Sequence, residues 1–229
     1  MPGTLRGEPG FADRAQGGRL LGTRVAEYLD GLGPPADAPL VLALPRGGVP
    51  VGLEVARAVG AELDVVVARK IGLPGHSEFG IGAVTDEGPP IFNHAVLRQT
   101  GLTEQDLAGA VAAERAEVAR RLRRYRGDRP PPRIAGRTVI VVDDGLATGV
   151  TAFAALRALR QRRPERLIFA APVCADDSAA ALSASAADAV ICLLRPRRFR
   201  AVGEWYADFA QLTDDEVEQL LAGAGKSQT

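Results

Sequence analysis

Lysine is almost missing from this 229-residue sequence, occurring only at Lys70 and Lys226 although Lys and Arg together number 28. Arginine therefore carries nearly all positive charge, and 28 Asp and Glu balance it to a formal net charge of zero. A balanced chain offers no whole-molecule attraction for nucleic acid or an anionic membrane. The two cysteines, Cys174 and Cys192, lie in apolar strand-like runs without CxxC spacing. That pattern gives neither a zinc site nor a disulfide framework, and reads as small buried hydrophobes in a reducing compartment. His76 and His94 have no partner at ligand or triad spacing, so both read as exposed or capping residues. No apolar run approaches the roughly 20 residues of a membrane span. Met1–Gly10 lacks the apolar stretch of a secretory leader. These absences predict a cytoplasmic, soluble protein without membrane or nucleic-acid partners.

What remains is ordinary globular material, 46% hydrophobic and 24% charged, with no internal repeat. Helical spacing of Leu20, Leu21, Val25, Tyr28 and Leu29 predicts a helix within Phe11–Leu32. Strand-like apolar runs follow at Leu40–Leu44 and Leu63–Ala68, separated by a helix over Val49–Val59 that Gly60 closes. The stretch Ile71–Pro90 is rich in Gly and Pro, and its apolar piece Gly80–Val84 can pair with Pro90–Phe92 as a hairpin. A long helix over Thr103–Tyr125 is locally basic, but Glu114 and Glu117 interleave its arginines and make it a solvated face. Strands Thr138–Val142, Leu167–Val173 and Ala189–Leu194 then alternate with helices near Val150–Arg162 and Asp176–Ala186. Residues after Gly223 read as a frayed end. Strands apolar on both faces and alternating with helices predict an α/β fold, a five-stranded parallel sheet flanked by helices.

One segment carries chemistry, Thr138-Val-Ile-Val-Val-Asp143-Asp144-Gly145-Leu146-Ala147-Thr148-Gly149-Val150-Thr151. An apolar strand delivers two adjacent carboxylates to its carboxyl end, where open parallel sheets bind ligands. A glycine-flanked turn and a helix start follow, and outward amides at such a start suit a phosphate. Gly145 and Gly149 permit close approach and unusual dihedrals, and Thr148 and Thr151 add hydroxyl donors. Paired acids beside a phosphate nest repel a second phosphate but accept hydrogen bonds from hydroxyls about one sugar away. A diol beside a monophosphate describes ribose 5-phosphate. Simple helix capping needs one acid and leaves the second unexplained.

This segment resembles the signature of the type I phosphoribosyltransferase family, an apolar strand followed by two acids, a short turn and Thr-Gly-x-Thr. The likeness extends from Leu40 to Leu194. Leu44-Pro45-Arg46-Gly47-Gly48 looks like the family's pyrophosphate loop, which often contains a cis non-proline peptide. Arg69-Lys70, taken as the end of the second strand, resembles the basic position serving the same leaving group, with the loop Ile71–Phe79 closing over it. The wording from Arg69 to Val84 is similar to a branch of stand-alone bacterial phosphoribosyltransferases.

The resemblance implies an enzyme that moves the 5-phosphoribosyl group from phosphoribosyl pyrophosphate to a nitrogen acceptor, with Mg2+ as cofactor and a homodimer as the assembly. Asp143, Asp144 and Lys70 would be catalytic. Asp143, Asp144, Gly145, Leu146, Ala147, Thr148, Gly149 and Thr151 would hold ribose 5-phosphate, and Arg46, Gly47, Arg69 and Lys70 the pyrophosphate; no residue is marked as a certain metal ligand. Hypoxanthine–guanine members carry an acid where this chain has Ala147, which argues against a 6-oxopurine acceptor. The chain reads as a single domain over 1–229, with a core over about 36–195. The hood that selects the acceptor would come from 11–32 and 195–222, the latter holding Arg195, Arg197, Arg198, Phe199, Arg200, Trp205, Tyr206 and Phe209. A non-catalytic sensor of the donor or of nucleotide on the same fold stays open as an alternative. A dinucleotide-binding oxidoreductase fits poorly, since no GxGxxG follows the first strand.

Overall fold

Side chains along the central strands divide between two apolar clusters with the period of two that an extended chain imposes. Strand β1 (Leu40–Ala43) sends Val41 and Ala43 to one face and Leu40 and Leu42 to the other. In β6 (Thr138–Val142), Ile140 and Val142 share the first face, and Val139 and Val141 the second. Strand β7 (Arg166–Val173) alternates in the same way. With β2 (Glu62–Val65) and β8 (Ala189–Leu194) these form a five-stranded, wholly parallel sheet in the order β2-β1-β6-β7-β8. The expected α/β fold, a parallel five-stranded sheet flanked by helices, is the observed one. The computed structural model describes residues 10–33, 37–73, 76–86 and 88–226, the side chains of 76–79 and 225–226 excepted.

Helices α1 (Arg14–Asp30) and α2 (Gly48–Val59) cover the first face, and α5 (Val150–Gln161) and α6 (Asp176–Ser185) the second. Asp13 caps α1 by accepting the Gln16 amide, and Gly60 ends α2 in a left-handed conformation. Because β1 and β6 are neighbours whose following helices lie on opposite faces, their carboxyl ends mark the switch point of the sheet, the place where open parallel sheets bind ligands.

Four expectations along the chain need correction. The second strand stops at Val65, since β1 ends at Ala43 and only the Val66 amide still reaches the Ala43 carbonyl. Arg69 and Lys70 therefore do not end β2; they open β3 (Arg69–Leu73), the first strand of a separate antiparallel sheet. The expected loop Ile71–Phe79 is largely strand, because β3 pairs with β4 (His76–Val84); Pro74 and Gly75 lie outside the described residues, as does the His76 side chain. The predicted hairpin with β5 (Ile91–Phe92) is present, pairing Ala83 with Ile91 and Gly82 with Phe92.

Helix α3 (His94–Thr100) follows, capped by Asn93. Helix α4 (Ala108–Arg126) begins later than the predicted Thr103, because reciprocal Thr103–Asp106 hydrogen bonds hold a turn ahead of it. Fraying does not set in after Gly223 as expected, since α7 (Asp214–Lys226) continues past it and packs Val217 and Leu221 into the core; residues 227–229 lie outside the described residues. Arg124 of α4 meets Asp214, Asp215 and Glu218 of α7.

Candidate functional site

At the carboxyl end of β6 the chain leaves the sheet through two acids. The Asp143 amide still donates to the Ala170 carbonyl of β7, and Asp143 Oδ1 accepts the Asp144 amide at 2.8 Å. The β1–α2 loop lies directly alongside. A methyl group built on Gly47 would sit 1.9 Å from Asp144 Oδ2, and one on Gly48 would sit 2.6 Å from the Val142 carbonyl oxygen. Two glycines are thus required for this loop to rest on the acids. The Pro45–Arg46 peptide bond is cis. The Arg46 charge bears on Tyr125 of α4 and Asp214 of α7.

The chain ends converge on the same acids. Arg14, the first residue of α1, places Nε 2.8 Å from Asp144 Oδ2, with side chains only 12% and 14% exposed. Its NH1 donates to the Ala210 carbonyl, and the guanidinium lies 3.8 Å from the ring centre of Phe209. The Tyr206 hydroxyl donates to the Asp144 backbone carbonyl at 2.6 Å. Tyr206 in turn packs against Phe11 and stacks on Phe209. Val202 closes against Gly145, where a methyl group would meet its Cγ1 at 2.4 Å. Tyr206 and Phe209, expected as candidates to stack on a base, are engaged with protein groups. The indole N–H of Trp205 is buried without a hydrogen-bond partner among the described residues.

Burial pushes both carboxyls above the usual carboxylate range. For Asp143 the neighbouring Asp144 charge adds to the effect. For Asp144 the Arg14 guanidinium opposes it. Both carboxyls therefore resist ionisation, Asp144 less than Asp143 because the Arg14 guanidinium offsets part of the burial.

Beyond the acids the turn reaches α5 with the features of an anion nest. Gly149 occupies the N-cap position at φ +72° and supplies no side-chain cap, which leaves the helix start to other acceptors. Ala147, Thr148 and Thr151 are exposed there, and Gly149 is half-buried. Leu146 anchors the turn through backbone bonds with Val173 and Ala175, and Ser178 of α6 donates to the Ala147 carbonyl. Lys70 approaches the same helix start: a methyl group built on Gly80 would lie 3.9 Å from both Lys70 Cδ and Val150 Cγ1. Arg69 is paired with Glu114 of α4 at 2.8 Å. A cavity of about 540 Å3 flanks the nest between the hairpin sheet, α5 and α6, with a largely apolar lining that includes Phe92 and Phe153.

Sequence reasoning missed Arg14 and Ser178. Arg14 did carry a signal, because an arginine in the first turn faces the positive end of its own helix dipole and needs an acid from elsewhere. Ser178 carried none. Cys174 is buried and Cys192 half-buried, both as free thiols. No group of three His, Cys, Asp or Glu side chains that could hold a metal occurs among the described residues. No helix among them is long and apolar enough to cross a membrane.

Comparison with known proteins gives a consistent answer. Residues 25–201 match the family model described as phosphoribosyl transferase domain. Two curated proteins of Mycobacterium tuberculosis, each named "Putative phosphoribosyl transferase" (Rv0571c of strain H37Rv and MT0597 of strain CDC 1551), are 42% identical over 214 residues. That alignment takes in 92% of this chain but 46% of each relative, so the chain spans about half the length of the curated relatives it matches. The crystal structure of the protein TT1426 from Thermus thermophilus is 43% identical, with a TM-score of 0.79 over 93% of this chain and 98% of that one.

Proposed function

The chain belongs to the phosphoribosyl transferase family, and from that premise we propose that it transfers the 5-phosphoribosyl group of phosphoribosyl pyrophosphate to a small nitrogen acceptor, a nucleobase or related compound. Pyrophosphate is the second product. The observation that carries this reading is the contact of the loops after β1 and β6, in which Gly47 rests on Asp144 while an uncapped helix start follows the acids. A diol, a monophosphate and a diphosphate then each have facing groups of suitable chemistry.

Asp143 and Asp144 accept hydrogen bonds from the ribose hydroxyls. The amides of Gly145 to Thr151, with the Thr148 and Thr151 hydroxyls, take the 5-phosphate. Arg46, the Gly47 amide and Lys70 meet the pyrophosphate, and Arg69 adds positive charge from its place beside Glu114. As the C1–oxygen bond breaks, its electron pair leaves with pyrophosphate and the ring gains oxocarbenium character. Fixed cations and amides aimed at that departing charge lower the barrier without reorganising. The acceptor nitrogen supplies the pair for the new bond.

Magnesium suits this site as a passenger of the donor. It keeps several waters and few protein carboxylates, and the two acids here are assigned to hydroxyls. Bound to the donor it would neutralise diphosphate charge. The hood is assigned to the chain ends around Arg14 and Val202–Phe209, the assembly is a homodimer, and the compartment is the cytoplasm. A second reading, a donor sensor without turnover, draws on the packing of Val202, Tyr206 and Phe209 beside the acids, on the side an acceptor would approach.

Incubation with donor, magnesium and a panel of purines, pyrimidines and small amide or acid acceptors decides between the two. The enzyme reading expects pyrophosphate release with at least one acceptor. Donor binding with no release across the panel selects the sensor.

A further inference from the structure

The signature segment does not encode the cation that touches it. Arg14 comes from α1, 130 residues before Asp144. Three restraints fix its guanidinium: Asp144 on Nε, the Ala210 carbonyl on NH1, and the Phe209 ring beneath. A surface ion pair of this kind contributes little, but this one is largely withdrawn from water, and charges so placed need well-made hydrogen bonds. It also leaves two adjacent acid side chains beside one hydrogen-bonded cation, an arrangement that a purely structural bridge has no reason to keep.

The geometry distinguishes the two oxygens of Asp144. Oδ2 is confined twice, by Arg14 Nε at 2.8 Å and by Gly47, on which a methyl group would lie 1.9 Å away. Oδ1 stands farther from that methyl position, at 3.1 Å. We propose that Arg14 is a positioning residue of the donor site, one that holds Asp144 Oδ2 and so presents Oδ1 to a ribose hydroxyl. The inference rests on the donor reading given above. It also makes the diol site depend on the docking of both chain ends, because Arg14 cannot be oriented without Phe209 and Ala210.

The ionisable groups around Asp144 are Asp143 on β6, Arg14 on α1, Tyr206 in the C-terminal segment, and Cys174 beyond β7, which bears on Asp143 and Tyr206. Of these Arg14 carries the positive charge, and after burial it acts most strongly on Asp144, favouring the ionised acid. Loss of its charge should therefore weaken donor binding most at low pH.

Calorimetric titration of the full chain with phosphoribosyl pyrophosphate and magnesium, between about pH 6 and 8.5, tests the proposal. Arg14→Gln should bind about tenfold more weakly at neutral pH, as expected for a lost charge-assisted hydrogen bond, and the deficit should widen as pH falls. Arg14→Lys should recover part of it. Phe209→Leu, which keeps the charge but frees the guanidinium, should lose roughly threefold with the same pH trend, and it decides the matter if Arg14→Gln does not fold. A folded Arg14→Gln or Phe209→Leu that binds donor as tightly as the wild type at every pH, or more tightly, overturns the proposal. A wild type without donor affinity overturns the donor reading itself, and this inference with it.

Discussion

The two sides of the candidate site are assembled by different means. The nest from Val139 to Thr151 is one unbroken stretch, whose strand, acids, turn and helix start are neighbours in sequence. The rack that grips Asp144 joins Arg14 to Ala210 across 196 positions and depends on Tyr206 and Phe209 stacking between them. A contiguous motif can be recognised from its residue types alone, since each does its work on adjacent backbone. A rack closed at long range exists only once the sheet has brought both ends to the same strand terminus. The proposed ligand contacts thus sit in the local half, and the remote half meets them at Asp144.

Alanine substitution at two glycines separates these halves. At Gly47 the added methyl group would lie 1.9 Å from Asp144 Oδ2, so either the acid or the β1–α2 loop must move. Donor affinity should fall about a hundredfold, the scale of a 1 Å displacement of a positioned group. At Gly145 the methyl group meets the Val202 side chain, which can yield with its segment. Gly145→Ala should therefore lower stability by about 1–3 kcal/mol and weaken the donor far less. Titration calorimetry and thermal unfolding on both variants check the contrast, which collapses if the two behave alike.

A smaller effect is expected from Asp143 without ligand. Its carboxyl holds a proton to higher pH than the unfolded chain does, owing to burial and the neighbouring Asp144. Between about pH 4, where an unfolded Asp titrates, and that raised value, the folded state binds more protons, so stability declines as pH rises. Above the raised value the penalty is complete. Asp143→Asn removes it and should melt a few degrees above the wild type at about pH 7.5, with the gap closing toward pH 4. Melting curves across that range measure it, and a variant less stable at every pH contradicts the account.

How much could be read from residues alone follows the same division. The parallel sheet was legible because β1, β6, β7 and β8 are apolar on both faces, and β6 and β8 were predicted to their observed ends. The acids, the glycine-flanked turn after them and the Arg46–Gly47 loop were legible as adjacent chemistry, and the structure brings Gly47 onto Asp144. Strand β3 was misassigned because Val66 to Ala68 is apolar and buried, as a strand would be, yet lies beyond the end of β1, where only the Val66 amide still reaches the Ala43 carbonyl. Helix α7 escaped notice although Thr213 and Glu216 form reciprocal cap hydrogen bonds at its start. Arg14 showed only that it needed an acid, and which acid could not be read, since its partner is fixed by tertiary packing.

The central claim is that Asp143 and Asp144 hold the diol of phosphoribosyl pyrophosphate. The most direct measurement is the thermal shift that donor and magnesium give to the wild type and to the Asp143→Asn, Asp144→Asn double variant. A ligand held by the folded state alone raises its melting temperature, so the wild type should shift upward by several degrees. The double variant should melt cooperatively with no donor-dependent shift. An equal shift in both proteins would contradict the account.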